Sequence, residues 1–189
     1  MKELNIMVVG VGGQGTLLTS RIIGKTALAE GFDVKLSEVH GMAQRGGSVV
    51  TFVRFGDKVY EPVCEEGTVD VLISFERLEA QRYAHFLKPD GVMIVNDTRI
   101  DPMTVVIGAA KYPEGIIEKL SERYTVYTVD GASVAKSLGN SKVLNTVVLG
   151  LAAKHIGFAE DSWLEVLRAT VPPKTIEINT AAFKAGYKN

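Results

Sequence analysis

A glycine-rich hexapeptide near the start of the chain constrains the fold more than any other feature. It is Gly10-Val11-Gly12-Gly13-Gln14-Gly15, which fits G-x-G-x-x-G. The apolar run 4–9 before it is typical of a strand buried on both faces, and residues 14–30 after it have apolar side chains near helical spacing. A strand, a tight turn and a helix in this order predict an α/β domain.

Glycines in such a turn let the backbone bend sharply and approach a ligand without a Cβ in the way. The free N–H groups and the positive end of the following helix favour an anion. We therefore predict that the turn binds a phosphate or a similar anion through the backbone N–H groups of Gly12, Gly13, Gln14 and Gly15. The alternative is that the glycines serve only the close packing of strand and helix.

Strand and helix signals alternate along the rest of the chain. Strands are expected at 32–37, 48–55, 69–74, 92–95, 104–107 and 125–129, and helices at 76–87, 113–123, 143–156, 162–170 and 174–185. This alternation predicts a three-layer α/β/α sandwich with a mostly parallel sheet, as a single domain over residues 1–189. A turn at 55–58 predicts an antiparallel hairpin over 48–63, and a second turn is expected at 88–91. The apolar helix 143–156 belongs either to the core or to a subunit interface.

Charge and cysteine content exclude several classes of partner. Lys and Arg total 21 and Asp and Glu 22, and a formal net charge of -1 does not draw the chain to nucleic acid or to an acidic membrane surface. The single cysteine, Cys64, cannot form an internal disulfide or hold an iron–sulfur cluster or a structural zinc, and it is predicted to be a buried thiol. The apolar run at 6–9 is too short for a signal peptide or a membrane span, so a cytoplasmic protein without a metal site is expected.

A second polar, glycine-containing segment spans residues 37–48 and follows the second predicted strand. It is therefore expected at the same sheet edge as the first turn. Arg45, beside two glycines, suits a bidentate grip on a phosphate or carboxylate. The predicted ligand-binding residues of this segment are Gln44, Arg45, Gly46 and Gly47. The alternative is a structural loop with Arg45 in an ordinary ion pair. His40 could act as an acid or a base, but no nucleophile–base pair can be found in the sequence, so a catalytic role for Glu38 or His40 is left open.

The first turn also invites the interpretation of a nicotinamide-dependent dehydrogenase. That class needs an acidic residue about 20 positions on, at the end of the second strand. Glu38 lies 23 positions after Gly15, but it runs directly into the polar segment, which weakens the hydride-transfer interpretation. A nucleotide-sensing module without enzymatic activity is the other distant alternative.

Taken together, the two glycine-rich segments resemble the gamma-type subunit or domain of the 2-oxoacid:ferredoxin oxidoreductases. The resemblance rests on residues 10–15 and 37–49, in this order and spacing, and is nearest to the indolepyruvate branch. It implies a subunit of an enzyme that oxidatively decarboxylates aryl 2-oxoacids, forms acyl-coenzyme A and reduces ferredoxin. A branch acting on pyruvate, 2-oxoglutarate or branched-chain oxoacids is the nearest alternative.

The resemblance further implies that the cofactors of the redox chemistry belong to a large partner subunit. These are thiamine diphosphate with Mg²⁺ and the iron–sulfur clusters, and ferredoxin docks through the complex. In related enzymes the gamma-type domain borders the active site and helps to receive coenzyme A. The chain alone is therefore expected to be inactive and to hold no cofactor by itself, with coenzyme A at its edge.

Overall fold

The computed structural model describes residues 3–41 and 46–189. Six strands form one sheet in the order β2-β3-β1-β4-β5-β6. Only β3 runs antiparallel to its neighbours, β1 and β2, while β1, β4, β5 and β6 pair in parallel. The strands are β1 (Leu4–Val11), β2 (Asp33–His40), β3 (Ser48–Gly56), β4 (Val69–Ser74), β5 (Leu87–Asn96) and β6 (Thr125–Val129).

Helices cover both faces of this sheet, which confirms the three-layer α/β/α architecture. One apolar cluster joins the sheet to α1 and α5–α8, and a second joins the opposite face to α2 and α4. Short 3₁₀ turns stand at 84–86, 141–143 and 173–175. The helices are α1 (Thr16–Ala29), α2 (Arg77–Tyr83), α3 (Met103–Val106), α4 (Ile116–Ser121), α5 (Gly131–Ser137), α6 (Leu144–Ile156), α7 (Glu160–Thr170) and α8 (Ile176–Lys188).

The predicted antiparallel element is present at β3, but the second arm expected at 59–63 is wrong. β3 pairs with β2 on one side and β1 on the other, and 59–63 forms no strand. The carbonyl groups of Glu61 and Val63 instead accept hydrogen bonds from the Arg54 guanidinium, each at 3.0 Å. Pro62 between them has no N–H to give a ladder. Because β3 is apolar on both faces, a central position buries more of it than a two-stranded hairpin would.

Two further expectations are corrected. The strand expected at 104–107 is wrong, since Met103–Val106 form the short helix α3. The place beside β5 is taken by β6 and not by this segment, which stays at the surface, with Val106 67% exposed. The turn expected at 88–91 lies within β5, where the pairing with β4 shifts register between Val69 and Val71.

The apolar helix α6 belongs to the core. Ten of its thirteen residues are buried, and it packs directly on α8. Glycines permit the contact: a Cβ on Gly186 would lie 1.9 Å from the Val147 carbonyl oxygen, and one on Gly150 would lie 2.1 Å from that of Phe183. The two backbones therefore touch with no side chain between them.

Candidate functional site

The predicted glycine turn leads from β1 into α1 and requires glycine at two positions. Gly13 has φ +103° and Gly15 has φ +88°, which L-residues with a side chain rarely adopt. Gly15 is also the N-cap of α1 and lies against Asn145, whose Nδ2 would be 2.7 Å from a Cβ there. Gly13 faces open space, as expected of a position that a ligand approaches.

The side-chain amide of Gln14 is occupied by hydrogen bonds to the backbone. Its Oε1 accepts a hydrogen bond from the Val11 N–H at 2.7 Å, and its Nε2 donates to the Phe75 carbonyl at 2.9 Å. The side chain therefore ties the turn to the end of β4. The Gln14 N–H donates to the Val11 carbonyl, and the Gly12 N–H donates to the Gly47 carbonyl. Of the four N–H groups predicted to bind an anion, those of Gly13 and Gly15 make no hydrogen bond to a described residue.

Replacing Gln14 by glutamate is expected to lower the free energy of unfolding by about 1–3 kcal/mol. The change keeps the acceptor for the Val11 N–H but sets a carboxylate oxygen against the Phe75 carbonyl. Urea unfolding of both proteins at pH 7 measures the difference. A variant as stable as the parent protein would show that the Gln14 amide does not hold the turn.

The structure brings the two predicted glycine segments together. The Gly12 N–H donates to the Gly47 carbonyl at 2.8 Å, and the Gly46 N–H donates to the Gly12 carbonyl at 3.4 Å. Both segments therefore lie at the carboxyl edge of the parallel strands, where α/β proteins bind ligands. Gln44 and Arg45 lie outside the described residues, and their part in the site stays a prediction.

Glu38 and His40 belong to β2 and not, as expected, to the loop that follows it. They line a cavity of about 380 Å³ whose other walls include Gly12, Gly13 and Thr16. One carboxylate oxygen of Glu38 is buried and has no hydrogen-bond partner among the described residues.

The position of β3 counts against a dinucleotide in this cavity. In the dehydrogenase arrangement the acidic residue stands on the strand next to the glycine turn. Here β3 separates β2 from β1, so two strand spacings, about 9.5 Å, lie between them. Glu38 is therefore not in the position that a ribose hydroxyl requires in that class.

A buried polar cluster that the sequence did not reveal adjoins Gly46 and Gly47. The Ser48 hydroxyl donates to a Glu79 carboxylate oxygen at 2.5 Å and lies 3.1 Å from the Tyr83 hydroxyl. Glu79 and Ser48 line a cavity of about 320 Å³ with both glycines. Burial raises the pKa of the Glu79 carboxyl, against the hydrogen bond from Ser48 and the charge of Arg82, 3.6 Å away.

The raised pKa of Glu79 makes stability depend on pH. A carboxyl whose folded-state pKa lies above the ordinary value, near 4.5, contributes full stability below that value and loses it as pH rises through the folded-state pKa. The side chain in Glu79→Gln stays neutral at every pH. The free energy of unfolding of this variant, minus that of the parent protein, is therefore expected to increase from pH 4 to pH 7. Urea unfolding at both pH values checks this, and an unchanged difference would contradict it.

A third cavity, of about 270 Å³, lies on the other side of the glycine turn. Its walls are Gly13, Gln14 and Gly15 on one side and, on the other, the 3₁₀ turn at 141–143 with the first turn of α6, including Ser141, Lys142 and Asn145. No motif marks these last residues, which lie about 130 positions further along the chain. Only the folded structure places them beside the turn.

In residues 3–41 and 46–189, no three His, Cys, Asp or Glu side chains converge as a metal site. The same part of the chain contains no helix with both the length and the apolar character needed to span a bilayer. Cys64 is buried, as predicted.

The sequence profile of the pyruvate ferredoxin/flavodoxin oxidoreductase family matches residues 5–189. The chain belongs to this family. The resemblance inferred from the two glycine segments is therefore confirmed.

Similar members of the family are small subunits. The chain is 41% identical over 196 residues to indolepyruvate oxidoreductase subunit IorB of Thermococcus kodakarensis, covering 100% of this chain and 96% of the relative. It is 42% identical to the IorB subunit of Archaeoglobus fulgidus, and the match covers 98% of this chain and 94% of that relative. Pyruvate synthase subunit PorC of Methanothermobacter thermautotrophicus is more distant, at 27% identity with 98% and 94% covered.

Solved structures share the fold. The pyruvate oxidoreductase subunit PORC of Thermotoga maritima has a TM-score of 0.75 at 20% identity, covering 100% of this chain and 97% of that one. The 2-oxoglutarate:ferredoxin oxidoreductase of Magnetococcus marinus, solved with 2-oxoglutarate, coenzyme A and succinyl-CoA, has a TM-score of 0.76 at 22% identity, covering 100% and 31%. In that enzyme the part with this fold is thus about a third of a longer chain.

Proposed function

We propose that this chain is the small, non-redox subunit of an indolepyruvate:ferredoxin oxidoreductase. The assembled enzyme would oxidatively decarboxylate aryl 2-oxoacids to acyl-coenzyme A and pass the electrons to ferredoxin. The observation that carries the proposal is the 41% identity to IorB subunits along the full length of this chain. Pyruvate synthase and ketoisovalerate oxidoreductase relatives are only 25–27% identical.

The donor atoms of the chain support a division of labour with a large partner subunit. Iron–sulfur clusters need several thiolates. Cys64 is the only cysteine, and burial raises its pKa to about 11, so its thiolate is not available at neutral pH. The described residues also lack a cluster of carboxylates for Mg²⁺. The iron–sulfur clusters and Mg-thiamine diphosphate would therefore belong to the partner.

Coenzyme A suits the residues of this chain better. It supplies the thiol that accepts the acyl group, and its phosphates need donors and positive charge. The N–H groups of Gly13 and Gly15 make no hydrogen bond to a described residue and lie at the positive end of α1, which suits such a contact. Gln44 and Arg45 directly precede Gly46 in the sequence, and the Gly46 N–H donates to the Gly12 carbonyl, so we assign these two side chains to the same ligand. This chain would thus bind and orient the acceptor while the carbanion chemistry takes place in the partner.

The direct test is co-expression with the large subunit from the same source. Indolepyruvate, pyruvate, 2-oxoglutarate and a branched-chain 2-oxoacid are offered in turn, and coenzyme A-dependent reduction of ferredoxin is measured. We expect turnover to be highest with the aryl oxoacid and absent from the small chain alone. Highest turnover with another oxoacid would move the protein to that branch of the family, and binding of a nicotinamide nucleotide by the chain alone would favour the dehydrogenase class.

Arg45→Ala is expected to raise the KM for coenzyme A in the assembled enzyme about 10–100-fold, because a charge-assisted hydrogen bond to phosphate is lost. The KM for the oxoacid should not change, since Arg45 is assigned to the acceptor and not to the oxoacid. Arg123→Ala is the matched control, because Arg123 is an exposed arginine just beyond α4. Unchanged affinity for coenzyme A and unchanged turnover in Arg45→Ala would remove this role.

A further inference from the structure

We infer that the cavity between the glycine turn and the start of α6 is a binding site for a phosphate or diphosphate group. Its volume of about 270 Å³ is several times the roughly 30 Å³ that a water molecule occupies in the liquid, so there is room for a diphosphate. One wall is formed by Gly13, Gln14 and Gly15, and the opposite wall by Ser141, Lys142, Leu144 and Asn145. The lining contains no carboxylate, so nothing in it repels an anion.

Asn145 is the observation that points to a ligand. The residue is 8% exposed, and its side-chain amide lies against Gly15 on the wall of the cavity. This amide makes no hydrogen bond to any other described residue, and its nitrogen and oxygen are not among the side-chain atoms that are fully shielded from solvent, so both are open to the cavity. A ligand oxygen in the cavity would provide the missing acceptor for Nδ2.

Lys142 supplies the charge. It lies in the 3₁₀ turn that leads into α6, and its side chain forms no ion pair within the described part of the chain. The thirteen-residue helix α6 and the fourteen-residue helix α1 both begin at this cavity, so the positive ends of two helix dipoles meet there. An ammonium group, an unpartnered amide and two positive helix ends select an anion over a neutral or cationic group.

The two cavities beside the glycine turn differ in charge. The larger cavity contains the buried carboxylate oxygen of Glu38, which has no partner among the described residues and repels an anion. The cavity at Lys142 has the opposite character. The glycine turn therefore directs the phosphate toward α6 and leaves the Glu38 side for groups that donate hydrogen bonds. The assignment of this phosphate to coenzyme A rests on the proposed function, whereas the binding of an anion does not.

The test is titration of inorganic diphosphate into the full chain, followed by calorimetry. Lys142→Met is expected to weaken binding about tenfold, because one charge-assisted contact is lost. Lys154→Met is the matched control, since Lys154 is an exposed lysine at the far end of the same helix. Asn145→Asp keeps the size of the side chain but turns a carboxylate toward the ligand, and we expect it to abolish binding. Thermal unfolding of each variant establishes that it is folded.

Absence of diphosphate binding in the parent chain would overturn the inference, as would equal affinities in Lys142→Met and Lys154→Met. The assembled enzyme separates this outcome from failure of the proposed function. If the complex forms acyl-coenzyme A while the chain does not bind diphosphate, the site is refuted and the function stands. If the chain binds diphosphate through Lys142 but the complex forms no acyl-coenzyme A, the function is refuted and the anion site stands.

Discussion

Replacing Gly186 with alanine is expected to lower the free energy of unfolding by about 3–4 kcal/mol, through steric overlap at a packed helix contact. The new methyl group would lie 1.9 Å from the Val147 carbonyl oxygen, which belongs to the backbone of α6 and cannot turn aside. The helices α6 and α8 would have to separate, and the core beneath them would lose its close packing. Gly150→Ala, whose new Cβ would lie 2.1 Å from the Phe183 carbonyl oxygen, should have a similar effect.

Calorimetric or urea unfolding measures this loss, and Gly24→Ala is the control. Gly24 lies within α1, and the nearest atom to its added Cβ would be 3.5 Å away, an ordinary contact. The same substitution there should raise stability by about 0.5–1 kcal/mol, because alanine favours the helix. For a chain of this length, the loss at Gly186 corresponds to a fall in Tm of roughly 6–16 °C. A loss no larger than 1 kcal/mol would mean that the helices adjust at little cost.

Glu76→Ala is expected to destabilise the protein by about 3–5 kcal/mol, because a buried carboxylate that accepts three hydrogen bonds is removed. Glu76 is 1% exposed, and it caps α2 by accepting from the Glu79 N–H at 3.0 Å. It also accepts from the Ile100 N–H at 3.1 Å and from the Tyr112 hydroxyl at 2.5 Å. Alanine would leave all three donors without an acceptor.

Tyr112→Phe and the double variant Glu76→Ala/Tyr112→Phe distinguish the contribution of the Tyr112 hydrogen bond from that of the helix cap at Glu76. Tyr112→Phe removes one donor and should cost about 1 kcal/mol. Because the two side chains share a hydrogen bond, the double variant should lose less than the sum of the single losses. Urea unfolding of the four proteins supplies the values. If the losses of the two single variants add up in the double variant, the Tyr112 hydroxyl does not depend on Glu76. A loss below about 1 kcal/mol in Glu76→Ala would show that the three hydrogen bonds to Glu76 contribute little to stability.

Local signals were sufficient to predict the glycine turn and most of the elements around it. Glycine at Gly13 and Gly15 meets a backbone requirement that lies within a few residues, and the apolar periods of the strands and helices are equally local. The same reasoning failed at 104–107, where β-branched residues indicated a strand. Membership in a sheet depends on which strand a segment meets in the folded chain, and propensity carries no information about that.

The position of β3 and the third cavity depend on contacts between distant parts of the chain. Pairing of β3 with β1 joins Leu4 to Phe55, and a local pattern does not show that the partner is β1 and not residues 59–63. Asn145 is likewise a residue without a motif, and its place beside Gly15 follows from the packing of α6 on the sheet. The sequence was sufficient to predict that the glycine turn suits an anion, but it did not show that Asn145 lies beside that turn.

The buried thiol of Cys64 has a practical consequence. It is 4% exposed, packs in the cluster beneath α2 and α4, and has its pKa raised to about 11 by burial. A thiol in that state reacts with alkylating reagents only when the layer above it opens. The rate at which Cys64 is alkylated in the folded protein therefore measures how often the helices α2 and α4 move away from the sheet. Because Cys64 is the sole cysteine, a second one introduced at the surface can be labelled selectively while the native thiol stays silent.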